Sequence, residues 1–454
     1  RTPRADDRPT RAWGGRPARP GDRREQRDTR GPTGRDRRSL SMPRAPGFID
    51  AGGDPRLATI LAQALRDAGE DDVVADSLTH PVHTYPARMH PATARRLVEL
   101  VMGDAGDGLI VDPFCGSGTT LVEAREAGLR AFGSDLNPLA VRIASAKTWT
   151  APTPRRRQLL AVGREIAGLA LAAGKAARRA TAEEQPWRGP PGFDPNARNR
   201  RLARWFAPHV RRELETIAAR IDDVRADDPE LAGPLEICLS AVLYKVSSRA
   251  SDTDPSWVER NVPRGAASRH FAQRVELLCA GLDDLASAPG PIPQVVEDDA
   301  RALSKRLGPG AAAGVVTSPP YAGTYDYAEQ HRLRFDFLGI HHRALDEGEI
   351  GARRAWEVAA NQGAADRNWR ESLAQFTAML TVILRSGGRA ALVVGDSIAG
   401  GRAMRADDDI RSVLGPDLSL AAWAWQERPM LGTIERSTFA DRSKREHILL
   451  LVRK

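Results

Sequence analysis

The chain has 454 residues, 41% hydrophobic and 28% charged, enough for a full core and two or three domains of a soluble protein. It has no apolar run of the roughly 20 residues a membrane helix needs and no apolar segment of a secretory signal in its arginine-rich N-terminus. Its three scattered cysteines, Cys115, Cys238 and Cys279, form neither a zinc pattern nor a disulfide framework, as expected in a reducing cytoplasm. The net charge of +8 is local: residues 1–46 hold 14 Arg against 6 acidic residues, and the remainder is neutral.

That tail is rich in Arg, Pro, Gly and Asp, lacks apolar periodicity and is expected to be disordered. One reading makes it an electrostatic tether for nucleic acid. The preferred reading places it upstream of a start at Met42, the first methionine. Residues 55–68 predict a short amphipathic helix. A Pro-punctuated segment, His80-Pro81-Val82-His83-Thr84-Tyr85-Pro86-Ala87-Arg88-Met89-His90-Pro91, leads into a helix at about 91–103. Residues 108–112 (GLIVD) predict a buried parallel strand ending in an acid. A glycine-rich turn, a helix from Thr119 to about Ala127 and a second strand at 130–135 complete a βαβ unit.

The alternation then stops. Helices are predicted at 155–182, 198–222, 230–249 and 266–286, and the βα rhythm returns with strands at 294–299, 313–317, 389–396, 417–426 and 446–453 and a helix at about 367–386. The expectation is an α/β, Rossmann-like, doubly wound and mostly parallel sheet with a helical insertion. Its parts are a tail (1–46), a first sheet segment (47–150), the insertion (151–293) and a second sheet segment (294–454).

Two motifs carry chemistry. In Asp112-Pro113-Phe114-Cys115-Gly116-Ser117-Gly118-Thr119-Thr120, the glycines permit a tight turn and close approach of a ligand, and Thr119 opens the helix with its exposed N–H groups. Asp135, at the tip of the second strand, stands where an acid accepts hydrogen bonds from ribose hydroxyls. The turn departs from the full dinucleotide pattern, which argues against NAD. Asp112 can receive the ammonium of an amino-acid-bearing cofactor. Asp299, or its neighbour Asp298, can accept from a cofactor's adenine amine.

The second motif is Thr317-Ser318-Pro319-Pro320-Tyr321. An exocyclic base amine is a poor nucleophile because its lone pair is delocalised into the ring. Acceptors at its N–H groups favour a tetrahedral nitrogen, and they act where charge develops in the transition state. Ser318 Oγ and the Pro319 carbonyl can supply them, the second proline holds that carbonyl rigidly, and Tyr321 offers a stacking face. His80, His83 and His90 match no zinc spacing, so no metal is expected.

With these residues the chain resembles the S-adenosylmethionine-dependent amino-group DNA methyltransferases. DPFCGSGTT, SDLNP (134–138), VEDDA (296–300) and TSPPY (317–321) are similar to their first four motifs, and HPVHTYPARMHP to the segment that closes over the methionine end of the cofactor. RAALVVGDS and REHILLLV resemble later strands of their sheet. The resemblance covers about 77–150 and 294–454. It implies S-adenosylmethionine held by Tyr85, Asp112, Phe114, Gly116, Gly118, Thr119, Asp135, Asn137 and Asp299, with Ser318, Pro319, Pro320 and Tyr321 in catalysis.

Serine in the first catalytic position implies cytosine N4 as the target in DNA. Adenine N6 or an RNA base is the alternative, and an inactive nucleic-acid-binding partner is the alternative of another class. A cognate restriction endonuclease or defence-system protein is the implied companion. Cytosine C5 chemistry is not expected, because it needs a cysteine nucleophile and Cys115 sits in the cofactor turn. Arg428, Arg436, Arg442, Lys444 and Arg445, clustered at 427–445, are the favoured phosphate contacts. The loop at 245–260, with Trp257, and the segment 322–366, with Tyr325, Tyr327, His331, Arg332 and Arg334, are further recognition candidates.

Overall fold

The structure is a computed structural model that describes residues 47–70, 72–103, 108–176, 202–254, 256–358, 361–430 and 432–454. The tail, parts of the first two predicted insertion helices and Trp187 lie outside these residues. Ten strands are present among the described residues: β1 (Ile49–Gly53), β2 (Leu109–Asp112), β3 (Arg130–Asp135), β4 (Gln294–Glu297), β5 (Ala312–Thr317), β6 (Leu384–Gly395), β7 (Ser397–Ala399), β8 (Arg402–Met404), β9 (Leu418–Glu427) and β10 (Arg445–Arg453).

Eight of them form one sheet in the order β1-β9-β10-β6-β5-β2-β3-β4. The five strands from β6 to β4 are mutually parallel, whereas β10 runs antiparallel to β6, β9 to β10 and β1 to β9. The expected mixed α/β fold with a mostly parallel central sheet is therefore what the chain adopts. Successive residues of the central strands feed opposite faces. Ile110, Val316, Val393 and Ile448 enter one buried cluster, while Val111, Val315, Leu392 and Leu449 enter the other.

Helices α1 (Pro55–Glu70), α2 (Pro91–Met102) and α3 (Thr119–Glu126) contribute to the first cluster. The second is covered by a long helix, Gln362–Ile383. Helix α4 (Pro138–Lys147) follows β3. It was not predicted, although its start is written in the chain: Asn137 caps it, its Oδ1 accepting from Leu139 N–H at 3.0 Å, with Pro138 in the first turn. β1 and the β7–β8 hairpin were also missed, and β6 begins five residues earlier than expected, directly after the long helix.

Between α4 and β4 the described residues hold α5 (Thr153–Ala176), α6 (Pro208–Asp227), α7 (Pro229–Leu243) and α8 (Ala266–Leu285). Their apolar faces share one cluster with Val82 of the Pro-punctuated segment and with Leu333 and Phe337 beyond the second motif. No helix among the described residues is long and apolar enough to cross a membrane.

Chain order runs from β2 outward to β3 and β4, then returns to β5 on the other side of β2. The point between β2 and β5 is thus a topological switch, the place where open α/β sheets bind ligands beyond their carboxyl ends. Both motifs follow these two strands.

Candidate active site

The ends of β2 and β5 touch: Thr317 Oγ1 donates to Asp112 Oδ1 at 2.6 Å. The two motifs, distant in sequence, border one cleft that encloses about 860 Å³ open to solvent. Its lining includes Tyr85, Asp112, Phe114, Gly116, Thr119, Asp135, Asn137 and Asp299 from the cofactor prediction and Ser318 and Pro320 from the catalytic one.

The turn after β2 needs its glycines. Gly116 has φ +49°, and a Cβ there would come 3.1 Å from the Tyr85 ring. Gly118 has φ +80°, and a Cβ would meet Ala144 at 2.9 Å. Tyr85 therefore lies directly over the turn, and its hydroxyl accepts from Asn137 Nδ2 at 3.2 Å. Asp135 spans the turn on the other side, accepting the N–H of Gly116 and of Asn137, each at 2.9 Å.

Asp112 and Asp135 share an electrostatic peculiarity. Burial pushes Asp112 up to about 6, against hydrogen bonds from Thr317, Thr120 and the Phe114 N–H that pull it down. Burial likewise pushes Asp135 up to about 6, against the Asn137 and Gly116 N–H groups, and the charge of Asp112 adds to the rise. Neither forms an ion pair among the described residues. The hydroxyls of Ser117 and Thr119, in the same lining, are buried without a hydrogen-bond partner. This donor set suits a ligand with a cation and hydroxyls.

Asp299 differs. It accepts Arg301 Nε at 2.9 Å and Arg301 Nη2 at 2.5 Å, so its charge is already met. Asp298 accepts Arg306 Nε at 2.7 Å and the Asp299 N–H at 2.9 Å. Phe114 packs on Phe376 with ring centroids 5.2 Å apart.

On the β5 side, Ser318 Oγ donates to the Val393 carbonyl at 3.0 Å and lies 3.3 Å from the Tyr321 hydroxyl. Donating its only proton to a main-chain carbonyl leaves the Ser318 lone pairs to accept from a ligand. Tyr321 is not an open platform. Its ring packs on Gly395, where a Cβ would lie 3.0 Å from Cε2, and with Pro319 it borders a smaller neighbouring cavity. The tyrosines lining the main cleft are Tyr85 and Tyr327, stacked at 6.1 Å, with Phe114 beside them in the lining. Leu345, Gly348, Glu349 and Ile350 close the remaining side. No local signal in the sequence marks these four, because tertiary folding of 322–366 back over the sheet brings them there.

Among families of known proteins, a DNA methylase matches residues 48–146. Over those residues the chain is similar to that family. Three curated relatives are similar over short stretches. The Type II methyltransferase M.MvaI of Kocuria varians is 44% identical over 16% of this chain and 16% of its own length. The Type II methyltransferase M.MjaII of Methanocaldococcus jannaschii is 39% identical over 15% and 12%. The tRNA (guanine(10)-N2)-dimethyltransferase of Methanothermobacter thermautotrophicus is 47% identical over 12% and 16%. The matches thus span less than a fifth of each relative's length. The methylase segment ends before Ser318–Tyr321, so the second motif stands on its own geometry.

The cations of 427–445 are largely matched by acids of the same chain. Arg428 pairs with Glu446, Arg442 with Asp407 at 3.0 Å and Lys444 with Glu435 at 2.7 Å. Arg445 lies over the Trp425 ring at 3.5 Å. Arg436 is exposed and has no acidic partner among the described residues. The histidines have structural partners. His80 bonds Glu123 at 2.7 Å, His83 bonds Ser240 at 3.0 Å, and His90 caps α2. Burial pushes the Cys115 thiol well above its ordinary range, which suits no nucleophilic role.

Asp396, Asp407 and His447 converge closely enough to hold an ion. Arg405 and Arg442 already occupy their carboxylates, at 3.2 and 3.0 Å.

Proposed function

We propose that the protein transfers a methyl group from S-adenosylmethionine to the exocyclic N4 amine of cytosine in DNA. The observation that carries this reading is the shared cleft. The buried Asp112 and the half-buried Asp135, neither ion-paired among the described residues, line it together with a serine hydroxyl fixed as an acceptor.

S-adenosylmethionine, when bound, supplies an electrophilic methyl on a sulfonium and brings an ammonium and ribose hydroxyls. Asp112 would receive the ammonium, Asp135 would accept from the ribose hydroxyls, and Tyr85, which lies over Gly116, would cover the methionine end. Asp299 is left a weaker share, because Arg301 already holds it. Ser318 Oγ and the Pro319 carbonyl accept the two N–H bonds of the amine and localise its lone pair, which strengthens as charge develops. The nitrogen would gain the methyl carbon as the carbon–sulfur bond breaks with its electron pair left on sulfur as the thioether, and would release one proton to water. A base inside a duplex reaches this cleft by leaving the stack.

The choice of cytosine rests on Ser318 standing first in the catalytic loop. The Type II methyltransferase relatives favour DNA, and the tRNA methyltransferase relative makes RNA the competing substrate. The test is nucleoside mass spectrometry of unmethylated DNA and of RNA incubated with the protein and S-adenosylmethionine. N4-methylcytosine in DNA supports the reading, N6-methyladenine rejects the base, and methylation confined to RNA rejects the polymer. Ser318→Ala lowers kcat about 10²-fold while retaining cofactor affinity.

A further inference from the structure

The second motif brings an aromatic residue of its own, yet the structure turns that residue away from the main cleft. Tyr321 is committed to Gly395 and to Ser318 Oγ. A tyrosine that does line the main cleft with Ser318 and Pro320, alongside Tyr85, is Tyr327, six residues further on.

Tyr327 is held from three directions. Its N–H donates to Glu349 Oε1 at 2.5 Å, and Glu349 is fixed in turn by Arg354 at 2.6 Å. Its neighbour Asp326 is gripped by the same Arg354 at 3.1 Å. Its ring stacks on Tyr85, inclined by 20°. Yet its hydroxyl has no hydrogen-bond partner among the described residues. A ring so firmly placed, with a free donor at its tip, is preorganised for a ligand.

We propose that Tyr327 is the base-contacting wall of the target site, its hydroxyl donating to the ring nitrogen next to the amine held by Ser318. This rests on the proposed methyl transfer and names the chemistry it reads. The target is an amidine edge, a ring-nitrogen acceptor beside an exocyclic amine. Cytosine offers it at N3 beside N4, and adenine at N1 beside N6. Uracil and thymine present an N–H at that position and are refused, because two donors then face each other.

The test is a double cycle on a duplex that the wild-type protein methylates. Tyr327→Phe keeps the ring and removes the donor. A 3-deazacytosine target, or 1-deazaadenine where adenine is the base, removes the acceptor. Each change alone lowers kcat/KM about tenfold, and the two together lower it no further. S-adenosylhomocysteine binding by calorimetry stays within about twofold in Tyr327→Phe. In Tyr327→Ala the fluorescence of pyrrolocytosine at the target loses its flipped-base increase. Losses that multiply, an unchanged Tyr327→Phe, or a matching fall in S-adenosylhomocysteine affinity overturn the inference while methyl transfer stands. A wild-type protein that methylates no nucleic acid overturns the proposed function and this inference together.

Discussion

Two groups of carboxylates, each built around a buried one, Asp112 or Asp396, lie at the carboxyl edge of the same sheet and have opposite electrostatic fates. At Asp396, burial works to raise the pKa. His447, the Ala406 N–H and Arg405 outweigh it and hold the carboxyl below its usual range. At Asp112 and Asp135 burial wins, and both carboxyls rise to about 6. The first group is complete within the chain. The second has no ion-pair partner among the described residues. A cluster of acids is thus read by what already neutralises it, and that contrast supports the proposed binding role of the cleft over one for the Asp396–His447–Asp407 network.

The contrast can be broken at either end. The largest expected effect is at Asp112. Asp112→Ala raises the S-adenosylmethionine dissociation constant about 10²-fold or more in calorimetry, as for a lost buried charge pair, with little loss of thermal stability. Asp396→Asn does the reverse. It leaves Arg405 and His447 without their acid and costs about 3 kcal/mol in denaturant unfolding, while the folded protein keeps wild-type cofactor affinity.

The pH response sharpens the same point. Asp112 and Asp135 titrate above their unfolded value of 3.8, so their stabilising contribution to the free protein is full below about pH 4 and is lost as pH rises through about 6. A bound ammonium favours the ionised form. Affinity for S-adenosylhomocysteine, which keeps that ammonium, therefore falls about tenfold per unit as pH drops below 6, and its thermal shift is larger at pH 7.5 than at pH 5.

The smallest effect is expected at the paired cations. Arg442→Ala and Lys444→Ala each change DNA affinity less than about twofold and reduce the salt slope by well under one. A full unit of slope for either would show that the ion pairs open on DNA.

The parallel strands and the cofactor turn were legible because their signals are local. LIVD and AGVVT are apolar runs closed by polar residues, and Gly116 and Gly118 announce a turn that only glycine tolerates. The meeting of Asp112 with Thr317 followed from topology, since both end neighbouring parallel strands. What stayed hidden was set by distant partners. Arg301 neutralises Asp299 through a bond made two residues away, which spacing alone does not reveal. Tyr321 reads as a stacking face until Gly395 is seen beneath it. The cluster at 427–445 reads as a phosphate site until Asp407, Glu435 and Glu446 are placed around it. β1 escaped notice because IDAGG lacks β-branched and aromatic weight beyond Ile49 and depends on β9 for its pairing.

The helices between α4 and β4 are bolted to the cover of the cleft. Asp252 accepts from Thr84, next to Tyr85, and from Arg334 at 3.2 Å, and Arg334 lies over the Tyr244 ring at 4.2 Å. Excising those helices with their connections to obtain a minimal fragment would leave Val82, Leu333 and Phe337 bare and remove the carboxylate that Thr84 and Arg334 share. Any chimera that exchanges this helical layer has to carry residues 79–90 and 327–338 with it, as a single transplant.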